Sequence, residues 1–243
     1  MWTVLSQGVG GVDRPTKICL VDIMGTVVDL AGSVRRDTAA VLRGTGLAEE
    51  DVTGVLEPYE QRLGQLMADV TAGRRDWQGH RELRRLALRE TLADRRLPPL
   101  TPEAEREASR VVHRLTPWPD SAAALRSLQE VVTVVGLSNA DLAELVGLSR
   151  HGGLAWHGLL SGELVHAFKP DPAVYQMALA MLGVEARDVL MVAAHPWDLR
   201  AAAGHGFATA YVARPGAEAP ADDDDFDVEV HDLAGLAAVL RGS

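Results

Sequence analysis

Cysteine is all but missing from this chain of 243 residues: Cys19 stands alone. A lone thiol excludes an intramolecular disulfide, and its place in the apolar run Ile18-Cys19-Leu20-Val21 makes it a small buried hydrophobe. Aromatics are scarce at 5%, so the core must be built mostly from Val, Leu and Ala. Long apolar runs are missing too, since none approaches the ~18 residues of a membrane span. Residues 1–16 lack the basic-then-apolar order of a secretory signal. These absences read as a soluble, cytoplasmic protein that does not enter the membrane. Basic charge is in deficit: 24 Lys and Arg against 34 Asp and Glu leave a net charge of −10. A nucleic-acid partner would need a basic face, so that class is excluded. The acidic run Asp222–Asp225 reads as a solvated surface loop.

The hydrophobic share is 47%, near the globular average, which excludes collagen-like and disordered classes. A chain this long buries enough surface to fold without a disulfide or a structural metal. Short apolar runs recur at Lys17–Val21, Val131–Leu137, Val189–Ala193 and Ala208–Val212, with a weaker one at Asp227–Val230. Helical patterns separate most of them, at Ser121–Glu130, Asp141–Leu148, Pro172–Leu182, Trp197–Gly204 and Leu233–Leu240. Strands alternating with helices predict βαβ units and a parallel sheet, an α/β fold. The stretch Leu154–Leu164 is expected to hold one more short strand.

Residues 32–115 break this rhythm and contain no convincing strand. In Gln78–Asp94, Leu83, Leu86 and Ala87 share one helical face, with Arg81, Arg84, Arg85 and Arg89 around it. This block is expected to be a helical subdomain inserted after the first strand. The catalytic core is then 17–31 plus 116–243, re-entered near Pro117-Trp118-Pro119-Asp120, and residues 1–16 form a loose N-terminal arm.

In an open parallel sheet, ligands bind at the carboxyl ends of the strands. Those ends carry Asp22 and Thr26, then Ser138 and Asn139, then His195 and Asp198, with Lys169-Pro170-Asp171 before a helix. Each has a structural explanation on its own, such as helix capping by Ser138, Asn139 or Asp171. Four strand ends carrying such groups together point to one polar cleft. Only Lys17 and Lys169 are lysine among the 24 basic residues, which suggests that position 169 needs a compact ammonium and not a planar guanidinium.

At these residues the pattern is similar to a known family. Asp22-Ile-Met-Gly-Thr-Val-Val-Asp29, Leu137-Ser138-Asn139, Phe168-Lys169-Pro170-Asp171 through Tyr175, and Ala193-Ala-His-Pro-Trp-Asp198 resemble the four motifs of the haloacid dehalogenase-like hydrolases. The type II, or L-2-haloacid, dehalogenases are the branch most resembled, over residues 17–240. The resemblance implies a Rossmann-like core with a helical cap, a small-molecule substrate, a homodimer, and no cofactor or metal. It implies that Asp22 is the nucleophile, forming a covalent ester that water then cleaves. Lys169 would keep Asp22 ionised. Ser138 and Asn139, with the backbone near Thr26, would bind the substrate carboxylate. Asp198, with His195, would hold or activate the hydrolytic water. Met24, Tyr175, Trp197 and Arg62 are expected around the substrate.

Two positions separate this reading from a phosphatase. Phosphatases of the superfamily carry a second aspartate two residues after the nucleophile, and here that residue is Met24. Halide leaves as a stable anion and needs no such acid, whereas a phosphate ester does. The first of the paired carboxylates that hold Mg²⁺ falls on Ala194, leaving Asp198 alone. One departure bears on the substrate. Alignment through Met67–Trp77 puts Glu60 where type II dehalogenases have the arginine that receives halide, with Arg62 two residues on. Either the register differs by half a turn, or Arg35, Arg36 or Arg62 substitutes, or the substrate is not a simple haloacid. The alternatives are a tailoring enzyme acting on a non-halogenated electrophile, an Mg²⁺-dependent phosphatase and a non-catalytic binding protein.

Overall fold

The computed structural model describes residues 16–242; apart from Thr16, the expected N-terminal arm lies outside them. Strand β1 (Ile18–Asp22) is wholly buried and leads through a tight turn to β2 (Val28–Asp29). Four helices follow: α1 (Leu30–Gly44), α2 (Glu49–Thr71), α3 (His80–Asp94) and α4 (Pro102–Ser109). The chain returns at β3 (Thr116–Pro117), which pairs antiparallel with β2. Residue 30 therefore leaves, and residue 115 re-enters, side by side. Then come α5 (Ser121–Gln129), β4 (Thr133–Ser138), α6 (Leu142–Gly152), β5 (Gly158–Ser161) and α7 (Pro172–Leu182). The chain ends with β6 (Val189–Ala193), α8 (Pro196–Gly204), β7 (Ala208–Val212), β8 (Val228–Val230) and α9 (Leu233–Arg241).

The main sheet has six strands in the order β5-β4-β1-β6-β7-β8, all parallel. The chain builds outward from β1 to β4 and β5, then crosses to β6 on the other side. This order reversal at β1 opens the crevice where α/β sheets bind ligands. The expected α/β fold is present, and the strand expected within 154–164 is β5. Boundaries shift in a way that matters. The first strand begins at Ile18, preceded by Lys17, whose N–H donates to the Asp188 carbonyl at 3.0 Å and whose carbonyl accepts from the Thr133 N–H at 3.2 Å, and it runs on to Asp22. Likewise β4 ends on Ser138 itself. Both polar residues are thus the last residues of buried strands, held by ladder hydrogen bonds rather than by loop.

Cys19 is fully buried in β1, where desolvation pushes its thiol up to about 12. On α3 the buried residues are His80, Leu83, Arg84, Ala87, Leu88, Thr91 and Leu92, so Arg84 leaves the expected polar ring. Arg84 turns inward because its Nε donates to the Tyr59 hydroxyl at 3.1 Å.

Candidate active site

The end of β1 presents Asp22, which is 4% exposed. Gly25, at φ +86°, then bends the chain sharply, a conformation that L side chains rarely adopt. A Cβ there would lie 2.8 Å from His195 Nε2, so position 25 has neither the backbone freedom nor the space for another residue. The turn folds Thr26 back over the strand end. Its hydroxyl donates to Asp22 Oδ2 at 2.6 Å and accepts from the Ala194 N–H at 2.9 Å. That acceptance fixes the hydroxyl proton on Asp22.

Lys169 approaches from the other side. Its Nζ donates to Asp22 Oδ1 at 2.8 Å, to Asp198, and to the Leu137 carbonyl at 3.4 Å. Tyr175 completes the group by donating to Asp198 Oδ1 at 2.6 Å. Asp198 sits in the first turn of α8, where the helix dipole favours a carboxylate. Burial alone would lower the Lys169 pKa, but Asp198 and Asp22 outweigh it, and the ammonium is held above the usual lysine range. Burial pushes the Asp198 carboxyl up, Lys169 pulls it back, and the Asp22 charge adds to the rise. Burial and the neighbouring Asp198 also raise Tyr175, which keeps it a hydrogen-bond donor.

Asn139 holds the lysine by its main chain. Its Oδ1 accepts from the Lys169 N–H at 2.6 Å and its Nδ2 donates to the Lys169 carbonyl at 3.1 Å. Ser138 is fully buried, and its Oγ accepts from the Ala140 N–H at 3.2 Å. On the outer side, His195 Nε2 pairs with the Met24 carbonyl at 2.8 Å and lies 3.7 Å from Asp22 Oδ2. The imidazole stacks on Trp197 at 5.7 Å, and that indole lies 6.0 Å from Lys169 Nζ.

Asp22, Thr26, Lys169, His195 and Asp198 are thus brought into one cluster, with Ser138 and Asn139 along its edge and Met24 and Trp197 beside His195. Two of the residues expected around the substrate are placed otherwise. Tyr175 is fully buried beneath the cluster, because α7 turns its ring inward and its hydroxyl is taken by Asp198. Arg62 lies on α2 facing α3, where Asp94 holds it at 2.5 Å and Glu90 at 3.4 Å. Neither of the other two arginines named above as substitutes bonds to the cluster. Arg35 grips Glu60 through two hydrogen bonds of 2.8 and 2.7 Å, and Arg36 binds Asp37 and Thr116. Asp171, by contrast, caps α7 by accepting from the Ala173 N–H at 2.8 Å.

Sequence reasoning missed the residues that hold the turn after β1. Trp118 Nε1 donates to the Gly25 carbonyl at 3.0 Å, and Ser121 Oγ donates to the Val27 carbonyl at 2.7 Å. The only local signal was a tryptophan between two prolines where the chain re-enters the sheet. Among the described residues, no group of three or more His, Cys, Asp or Glu is placed to hold a metal ion. The oxygens of Asp22 and Asp198 instead converge on the Lys169 ammonium, and Met24 and Ala194 offer no side-chain oxygen that could add to them.

A buried aspartate held at both oxygens thus stands at the switch point of a parallel sheet, where such folds place their ligands. The chain belongs to the haloacid dehalogenase-like hydrolases, whose family model matches residues 16–206. The chain is also similar to a solved L-2-haloacid dehalogenase, at 32% identity and a TM-score of 0.84, covering 95% of this chain and 100% of that one. A defluorinating L-2-haloacid dehalogenase superposes with a TM-score of 0.86 at 28% identity, covering 94% and 96%. Among curated relatives, an (S)-2-haloacid dehalogenase of Pseudomonas fluorescens is 32% identical over 118 residues, 47% of this chain and 52% of the relative. The chain thus spans about half the length of the curated relatives it matches.

Proposed function

We propose that the protein is a 2-haloacid dehalogenase working without a metal ion. An Asp22 carboxylate oxygen displaces the halide from C2 of the substrate, forming an ester bond as the carbon–halogen bond breaks. Water then adds to the ester carbonyl of Asp22 and releases the 2-hydroxy acid. The observation that carries this reading is the environment of Asp22: an ammonium on one oxygen and a hydroxyl on the other, with Met24 where an acid would be needed to protonate an alcohol leaving group. The relatives support it. A solved L-2-haloacid dehalogenase of Xanthobacter autotrophicus, with chloropropionic acid covalently bound, is 25% identical with a TM-score of 0.77, covering 93% of this chain and 98% of that one.

In this reading Lys169 keeps Asp22 charged and neutralises Asp198 beside it. The second step needs a group to take the proton of the attacking water. Both oxygens of Asp198 already accept hydrogen bonds, and its side chain is 0% exposed. His195, 26% exposed and with Nε2 3.7 Å from Asp22 Oδ2, shares this role with Asp198. Its Nε2 donates to the Met24 carbonyl, so the ring takes a proton only through Nδ1 or once that bond is broken. We assign the helical stretch 32–115 as the substrate-selecting cap.

A second reading keeps Asp22 as nucleophile on a non-halogenated electrophile, such as a strained ring. It is favoured by Glu60 at the expected halide-binding position, where Arg35 neutralises it. One experiment decides. A single turnover with 2-chloropropionate in ¹⁸O-water is expected to release chloride and leave ¹⁸O in Asp22. Chloride release with all label in the product would overturn the ester route. No release from either enantiomer would favour the second reading.

A further inference from the structure

The turn Gly25-Thr26-Val27 exposes three successive carbonyls away from the reactive side, and each is taken by a donor from elsewhere in the chain. Trp118 holds the first through Nε1, and Val27 receives both Ser121 Oγ and the Trp118 N–H, the latter at 3.1 Å. The middle carbonyl, that of Thr26, is held by Arg214, two residues beyond β7. Its Nε donates to Thr26 O at 2.8 Å, while Nη1 and Nη2 grip Asp120 at 2.7 and 3.0 Å. The Arg214 side chain is 5% exposed, and its guanidinium also packs 5.7 Å from the Trp118 ring. Asp120 in turn accepts the Leu233 N–H at the start of α9, at 2.8 Å.

We propose that Arg214 is a positioning residue for the reaction at Asp22, acting through Thr26. The carbonyl it holds belongs to the residue whose hydroxyl touches the nucleophile. Only a planar fork can bond Thr26 O through one nitrogen and a carboxylate through two others; a lysine has a single ammonium for both. Asp120 fixes the fork, and the fork fixes the peptide plane of Thr26. Thr26 Oγ1 then stays between the Ala194 N–H and Asp22 Oδ2. Arg214 touches neither substrate nor reacting atoms. Its loss lets the turn rotate and frees one Asp22 oxygen from its hydrogen bond.

This inference rests on Asp22 being the nucleophile, so the test has one arm that needs no substrate. A crystal structure of Arg214→Gln is expected to show Thr26 Oγ1 withdrawn from Asp22 with the sheet unchanged; an undisturbed contact overturns the proposal whatever the enzyme's activity. In the kinetic arm, Arg214→Gln slows ester formation about tenfold with little change in KM, less than the ~10²–10³ typical of losing a direct donor. The same substitution made on Thr26→Ala changes the rate by less than about threefold, since its target is already gone. Arg214→Lys recovers only part of the rate. A purely structural arginine would lower the melting temperature, leave the rate per folded molecule unchanged, and act additively with Thr26→Ala. Should Arg214→Gln fail to fold, Asp120→Asn keeps the Nε contact and weakens the fork, and an intermediate rate is expected. A wild-type rate in Asp120→Asn would then overturn the proposal.

Discussion

Lys169 Nζ stands 2.8 Å from Asp22 Oδ1, with the lysine side chain 1% and the aspartate side chain 5% exposed. The same ammonium binds Asp198, so one cation serves two buried carboxylates. Lys169→Met strands both. Breaking a buried ion pair from one side costs about 3–5 kcal/mol, and urea unfolding at neutral pH should show a loss of that order. A loss below about 1 kcal/mol, the range of an exposed pair, would mean that the ammonium does not neutralise the two carboxylates.

Gly25 has φ +86° and no room for a Cβ beside His195. Gly25→Ala should cost about 1–2 kcal/mol for the left-handed backbone. It should also push the imidazole away from Asp22. If His195 assists ester hydrolysis, the second step slows more than the first and the ester accumulates. Intact mass spectrometry of acid-quenched enzyme would show the adduct on Gly25→Ala and only traces on the wild type. Equal slowing of both steps, with no adduct, would remove His195 from the second step.

The strands were legible because β1, β4, β6 and β7 are central, buried on both faces, and written as continuous Val, Leu, Ile and Ala runs. Asp22, Thr26, Lys169, His195 and Asp198 were legible for a related reason: strand ends and helix starts bring distant motifs to one edge. What stayed hidden depends on side-chain direction. Tyr175 sits one turn into α7, and nothing in the sequence says that its ring points under the sheet edge toward Asp198. Arg84 occupies a position on α3 where charge was expected outside, yet Tyr59 on α2 draws it in. Arg214 and Asp120 are 94 residues apart, and no local pattern joins them.

Arg62 tests how far a family register can be carried into the helical stretch. Its guanidinium spans to Glu90 and Asp94 on α3, with the side chain 39% exposed. Pairs this open are worth about 0–1 kcal/mol. Arg62→Gln should therefore shift stability by no more than that and leave kcat/KM for 2-chloropropionate within about twofold. A drop of a hundredfold or more would restore Arg62 to the halide site and show that α2 moves when substrate binds.

Glu105 on α4 ties that helix to α3. Arg89 donates to both its oxygens and Arg85 to one, at 3.2 Å in the latter case. The Arg89 hydrogen bond is the largest influence; partial burial opposes it, Arg85 adds to it, and the carboxyl falls from 4.5 to about 2. A carboxyl that holds its proton less tightly when folded stabilises the fold above its unfolded pKa and loses that contribution as pH drops through the folded one. The stabilising contribution of Glu105 is thus complete above pH 4.5 and disappears toward about pH 2. Thermal unfolding of Glu105→Gln beside the wild type should show the variant less stable at pH 6, with the gap narrowing steadily through pH 4 to pH 3. A gap that stays constant over that range would mean that Glu105 acts through packing alone, and that the α3–α4 seam is held by apolar contacts rather than by its charges.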